Sequence, residues 1–297
     1  MPLDIVNTTL TKLNQNKEHV LTADELLIDD LNFDVEFEPT KWQERKYVIN
    51  GNTGEYLGIV GKDFKCASHP EFFVDIHDAV TEHLGEEQCD SMNIRYKTAR
   101  NNAWALMDMT LPNVTAKIVT SRHETTVGQR IIAMHGIDGS CSNQVYFGAI
   151  DFFCTNGMVT GEHDKIRRKN TSNFNMDSFI AELKTAQQDF YSQSEQLQHW
   201  ARKDTSNVDV LALLESIMNT RKAEKMFSLY NQEVAVRGRN VFALYSAFTN
   251  QATFADERNG FKMRNTGNDT GAETMWKREH DVAKWISTPQ FRELVAA

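Results

Sequence analysis

Residues 129–161 read QRIIAMHGIDGSCSNQVYFGAIDFFCTNGMVTG, two apolar runs on either side of a short polar insert. In an extended chain the first run, Arg130–Met134, puts Ile131 and Ala133 on one face and Ile132 and Met134 on the other. The second run, Val145–Cys154, holds three Phe, a Tyr, a Val and an Ile. β-Branched and aromatic content of that density and length belongs to a strand covered on both faces. The insert Gly136-Ile137-Asp138-Gly139-Ser140 has the chemistry of a hairpin connection. Glycine admits positive φ there, and Asp and Ser bond their own backbone. These two strands are predicted as the centre of an antiparallel sheet.

The flanking segments supply more hairpins and one helix. Lys46–Ile49 and Tyr56–Val60 surround Asn50-Gly51-Asn52-Thr53-Gly54, where Asn-Gly favours a tight turn. Gly58 and Gly61 mark a bulge or a close backbone approach in the second arm. Ser68-His69-Pro70-Glu71 is a capping box with proline in the first turn. Phe72, Phe73, Ile76, Ala79, Val80 and Leu84 follow at helical spacing, and Gly85 ends the helix. Met92–Thr98 and Ala103–Leu111 form another hairpin about Arg100-Asn101-Asn102. In its first arm Ile94 and Tyr96 face inward, while Asn93, Arg95 and Lys97 face outward. A separate short strand is expected at Ala116–Thr120 and a polar loop at Ser121–Gly128. Near the start, Thr22-Ala23-Asp24-Glu25 predicts a short capped helix, and an acidic tract from Asp29 to Glu38 closes at Pro39.

Beyond Gly161 the pattern changes. His163–Asn170 is a basic connector. Met176, Phe179, Ile180, Leu183, Ala186 and Phe190 then form one helical stripe that extends to Leu197 and Trp200. Further helices are expected at about Val208–Met218, Arg221–Glu233 and Val241–Phe254, followed by a polar loop at Asn259–Ala272. The last helical stretch holds Met275, Trp276, Val282, Ala283, Trp285 and Ile286, and Pro289 interrupts or restarts it. The fold class is therefore α+β: a hairpin-rich, curved antiparallel sheet with one early helix, followed by a mostly helical C-terminal half. Residues 1–45 are an acidic N-terminal arm, 46–170 a sheet-rich core, and 171–297 a helical region packed on or beside that core.

No apolar run in the 297 residues approaches the roughly 20 of a membrane span, and the first twenty residues lack the apolar core of a signal peptide. Cys66, Cys89, Cys141 and Cys154 are too sparse for a disulfide framework, so a reduced, cytoplasmic setting is expected. The net charge of −9 hides an asymmetry. Residues 1–90 carry 7 Lys/Arg against 19 Asp/Glu, residues 91–170 carry 10 against 6, and the remainder 15 against 16. A basic middle beside an acidic front implies an anionic partner for the middle, or an acidic front that serves solubility.

Four constellations carry chemistry. Cys66 and His69 have a C-x-x-H spacing, with His77, His83 and Cys89 close behind, but no second closely spaced pair completes a zinc site. His135, Asp138, Ser140 and Cys141 have the residue types of a hydrolase; the same residues also suit a turn. Tyr146, Phe147, Phe152 and Phe153 resemble the stacking residues of a single-strand-binding sheet, although neighbours in a strand point to opposite faces. The fourth is a basic set. Arg95, Lys97, Arg100, Arg122 and Arg130 lie on or beside predicted hairpins, and Lys165, Arg167, Arg168 and Lys169 lie beyond the central strand. Brought together, they would line a groove that tracks phosphates; apart, they are a solvated strand face.

The chain resembles the domain-of-unknown-function 932 family of phage- and plasmid-borne proteins. Three patches carry the likeness: Gly58-Ile59-Val60-Gly61-Lys62-Asp63-Phe64, then His135 through Asn156, then Thr274-Met275-Trp276. The His-Asp-Gly-Ser run of the family is here split by Gly136 and Ile137, and Asp151, Phe152 and Phe153 stand where an Arg is usual. The family transfers no activity. At the level of the fold, a helix, consecutive hairpins and then a long helix resemble the core of phage-type single-strand annealing proteins.

Together these features predict a phage-type DNA-metabolism protein. It would bind single-stranded DNA, pair complementary strands without covalent chemistry or a cofactor, and assemble as a ring-like or filamentous homo-oligomer in the bacterial cytoplasm. One alternative is an enzyme built on His135, Asp138, Ser140 and Cys141. Another is an interaction or anti-defence protein whose acidic Asp29, Asp30, Asp34, Glu36 and Glu38 face a basic partner.

Overall fold

The computed structural model describes residues 19–21, 28–152, 157–158, 166–168, 176–254 and 271–296. The strands are β1 (His19–Leu21), β2 (Val35–Pro39), β3 (Arg45–Asn50), β4 (Tyr56–Gly61), β5 (Asn93–Ala99), β6 (Trp104–Val119), β7 (Glu124–Gly136), β8 (Asn143–Asp151), β9 (Gly157–Met158) and β10 (Ile166–Arg168). Helices α1 (His69–Leu84) and α2 (Glu86–Cys89) precede β5. The C-terminal half holds α3 (Met176–Arg202), α4 (Val210–Ile217), α5 (Thr220–Arg237), α6 (Val241–Phe254), α7 (Gly271–Ile286) and α8 (Pro289–Ala296). The fold is α+β, with antiparallel sheets first and a mostly helical half after them. Among the described residues no helix is long and apolar enough to cross a membrane.

The large sheet has the order β1-β5-β6-β7-β8-β10, with β9 also on β8, and every pairing is antiparallel. The two apolar runs around the 137–142 connection are the interior strands β7 and β8; the middle pair of the order is β6 and β7. A second sheet, β2-β3-β4, is the predicted Asn-Gly hairpin plus one edge strand. Its register slips between Val48 and Ile49, so that Leu57 bulges next to Gly58. Helix α1 starts as its sequence dictates. Ser68 Oγ accepts from the Glu71 amide, Glu71 Oε2 accepts from the Ser68 amide at 2.7 Å, and Gly85 ends the helix at φ 86°.

Side chains sort onto the two sheet faces. Ile94, Tyr96, Met107, Met109, Ile131, Ala133 and Phe147 join the main core with α1, α3, α6 and α8. Trp104, Leu106, Ile132, Met134 and Tyr146 form a second core with the small sheet and the start of α7. The helical half is also tied to the sheet by a buried charge cluster. Arg237 of α5 donates to Asp151 of β8 at 2.6 Å and to Glu233 at 3.0 Å, and Thr125 donates to the other Asp151 oxygen.

Three local expectations change. Ala116–Thr120 is not a separate strand: β6 runs through it, and Pro112, Asn113 and Val114 leave the ladder between Leu111 and Thr115. A bulge is where proline's missing N–H does least harm, and Asn113 anchors it by donating to the carbonyls of Glu87 and Asp90. Strand β7 begins at Glu124, inside the expected loop, because Thr120 and His123 close a tight turn. The acidic tract contains β2, a strand whose edge position suits Glu36 and Glu38. Of the helix expected after Thr22, residues 22–27 lie outside the described residues and Asp29–Leu31 form one 3-10 turn; Phe153 and Cys154 also lie outside them.

Candidate functional site

Helix α7 lies across β5 and β6. On that side the sheet presents Arg95 and Lys97 from β5, Asp108 from β6, Arg130 from β7 and Tyr146 from β8. Asp108 and Ile132 are paired residues, as are Ile132 and Tyr146, so the polar groups stand in adjoining rows. From α7 come Glu273, Trp276, Glu279 and His280, spaced to share one helix face.

At the centre Arg130 is enclosed, with 1% of its surface exposed. It donates to both Asp108 oxygens at 2.7 and 2.9 Å and to Glu279 Oε1 at 2.9 Å. Burial raises the Asp108 carboxyl, and the Arg130 guanidinium more than reverses this, so Asp108 ends below its usual range. Burial wins at Glu279, whose carboxyl is raised despite Arg130, and its Oε2 has no hydrogen-bond partner. Arg95 and Lys97, both half-buried, stabilise the Asp108 charge from the β5 side, and Lys97 also acts on Glu279.

A polar relay lies alongside. His280 Nδ1 donates to the Trp276 carbonyl at 2.8 Å, which leaves Nε2 to accept from the Tyr146 hydroxyl at 2.7 Å. The Trp276 ring meets Tyr146 edge-on at 4.4 Å.

At the end of the sheet Arg100, Asn101 and Asn102 turn β5 into β6 with φ of 55°, 54° and 63°. Three successive left-handed residues without glycine are unusual, and neighbours hold them. Asn101 donates to Glu55, and Asn102 donates to the Asp30 carbonyl. Arg100 Nη1 donates to Ser140 Oγ at 2.9 Å and reaches Asp138 at 3.5 Å, and its Nε stands 3.6 Å from Glu273 of α7. Its guanidinium lies over the Trp104 ring, whose Nε1 donates to Asp138 at 3.0 Å. Ser140 donates to Asp138, and its amide closes an Asx turn on the same carboxylate.

On the opposite face, His69 and His135 are fully buried. His69 Nε2 donates to the Asn102 carbonyl at 2.8 Å, so its Nδ1 is an acceptor and takes a hydrogen bond from His135 Nδ1 at 2.8 Å. His135 Nε2 is then an unprotonated nitrogen without a partner, and the ring stacks on Phe72 at 4.5 Å. Burial lowers His69 to about 4 and, with His69 beside it, lowers His135 well below its usual value.

The hydrolase set is therefore not assembled. His135 is committed to His69 on one face, Asp138 and Ser140 are bound to Trp104 and Arg100 on the other, and Cys141 donates to the Ser142 carbonyl. The predicted cations divide in the same way. Arg95, Lys97 and Arg130 share the face under α7, and Arg100 sits at its end. Arg130 is an internal ion-pair residue and offers no surface to a phosphate. Arg122 is exposed at the other tip of the β6–β7 hairpin, about 50 Å from Arg100 along the strand. The β10 backbone at Arg167 and Arg168 pairs with Gln144 and Asn143, at the Arg100 end of the sheet. Lys165 and Lys169 lie outside the described residues. Asp108, Glu279 and His280 were not singled out by the sequence. A lone acid within Ala103–Leu111 was the available signal, since a charge in an apolar strand requires a buried partner.

The three patches noted in the sequence converge here. A Cβ on Gly58 would lie 3.0 Å from Asp138 Cβ, one on Gly139 would lie 2.8 Å from Val60 Cγ1, and Trp276 packs on Tyr146. The molecule is thus an α+β scaffold whose sheet is strapped by a late helix. The chain belongs to the family described as domain of unknown function (DUF932), whose model matches residues 56–289. No curated protein and no solved structure matches it.

Proposed function

We propose that the protein binds single-stranded DNA without covalent chemistry and leaves the bases free to pair with a complementary strand. The observation that carries this reading is the run of cations on β5: Arg95 and Lys97, half-buried beside α7, share one side of the strand, and the exposed Arg100 follows at its end. The Arg167–Arg168 backbone of β10 lies at the same end of the sheet, while Arg95, Lys97 and Arg100 stand on its β5 side. These side chains would neutralise phosphates and release counterions. Arg130 serves this function indirectly, by holding Asp108 so that its charge is not left bare beside Arg95 and Lys97. Copies of the chain in a ring or filament would lengthen the path, and the acidic front would oppose unspecific binding. The test is fluorescence anisotropy of a labelled single strand over a range of salt. Arg95→Gln with Lys97→Gln should weaken binding and flatten the log–log salt slope by roughly 1.4, two contacts' worth. Arg122→Gln should leave both unchanged. Unaltered affinity and slope in the double variant would remove β5 from the interface.

A second reading rests on the exposure of all five acids Asp29, Asp30, Asp34, Glu36 and Glu38. They would receive a basic protein segment, and Glu36→Lys with Glu38→Lys should abolish binding to a lysine-rich peptide.

A further inference from the structure

We infer that α7 is an internal competitor for the nucleic acid, its carboxylates Glu273 and Glu279 standing where phosphates would stand. This rests on the DNA-binding reading and adds to it a built-in control. Glu273 faces Arg100 at 3.6 Å, and Glu279 is bonded to Arg130 at 2.9 Å within the field of Lys97. The two carboxylates are six residues apart, so they are spaced about 9 Å along the helix. Two of the proposed phosphate ligands, Lys97 and Arg100, are therefore already facing anions from this chain.

The two ends of α7 are held differently. Val282, Trp285 and Ile286 belong to the main core, where Trp285 meets Phe248 at 5.3 Å. Lys222 of α5 pins that end through Asp281 at 3.2 Å and lies over the Trp285 ring. The part of α7 up to His280 carries the ion pairs and hydrogen bonds, Arg100–Glu273, Arg130–Glu279 and Tyr146–His280, together with Ala272 and Met275 in the second core and Trp276 packed on Tyr146. A partly exposed ion pair such as Arg100–Glu273 yields to competing anions more readily than apolar packing or the enclosed Arg130–Glu279 pair does. One oxygen of Glu279 is buried without a hydrogen-bond donor, so the closed contact is incomplete. A phosphate chain arriving along β5 would loosen α7 from Glu273 toward His280 while Val282, Trp285 and Ile286 stay docked.

The experiment pairs binding with hydrogen exchange on the full chain. Glu273→Gln, and separately Glu273→Gln with Glu279→Gln, should bind a labelled single strand more tightly than the parent, about tenfold for the double variant. The single variant alters a partly exposed side chain, so it guards against a folding defect in the double one. In the parent, adding the strand should speed amide exchange in residues 271–280 and spare 282–286. If the parent binds DNA but the variants bind no tighter, or exchange in 271–280 slows, the competition is refuted and the DNA reading stands. If neither parent nor variants bind, both are refuted.

Discussion

His69 and His135 meet through their Nδ1 atoms at 2.8 Å, in an interior where neither ring is exposed. His69 must stay neutral for that bond to exist, since its Nδ1 is the acceptor, and burial disfavours the charged form of both rings, pushing His69 down to about 4. The unfolded chain takes up protons below the ordinary histidine value near 6.5, and the folded chain does not. Stability from the pair is thus complete above pH 6.5 and is lost as pH falls toward 4. His69 alone accounts for about 3 kcal/mol over that window. Thermal melts between pH 4 and 7 should show the loss, and His69→Phe with His135→Phe should flatten it.

Arg130 compensates two enclosed carboxylates. Arg130→Met should lower the unfolding free energy by about 3–5 kcal/mol, because Asp108 and Glu279 are then left without their cation. Adding Asp108→Leu should recover part of the loss. Urea denaturation of the single and double variants measures the coupling.

Asp138 is the acceptor for Trp104 Nε1, for Ser140 and for its own turn. Asp138→Ala leaves the indole N–H only Ser140 Oγ, at 3.1 Å, removes the acceptor of the turn, and should cost about 1–3 kcal/mol. Trp104 lies in the second core, so its fluorescence should shift in step with the melt.

Gly139 sits at φ 77°, with Val60 Cγ1 2.8 Å from where a Cβ would stand. Gly139→Ala should destabilise by about 1–3 kcal/mol, from the strained backbone and from pressure on the small sheet. Gly54 has a similar φ of 71° but open space around it, so Gly54→Ala should cost less. Parallel melts of the two variants separate backbone strain from crowding.

Local chemistry made most of the fold readable. The Ser68 cap and the apolar strands around Asp138 are each settled within a few residues, whereas the hairpin after Asn50 turns on Gly54 at φ 71° and not on the Asn-Gly pair. Helix α6 spans Val241–Phe254, as its apolar run predicts. The site was harder to read, because its partners are remote in sequence. Arg130 looks like any strand-end cation until Glu279, 149 residues later, is folded against it. His135 looks like a candidate base until α1 brings His69 onto its Nδ1. Strand β2 was hidden by its charge: Glu36 and Glu38 are poor strand formers, and the β3 edge pairs with them nonetheless.

The decisive measurement is a titration of the parent protein with labelled single-stranded and duplex DNA at several salt concentrations. Three to five phosphate contacts along β5 and the sheet end predict single-strand binding that weakens with salt, at a log–log slope of roughly −2 to −3.5. Absence of binding at low salt, or an affinity indifferent to salt, would contradict a phosphate-tracking edge.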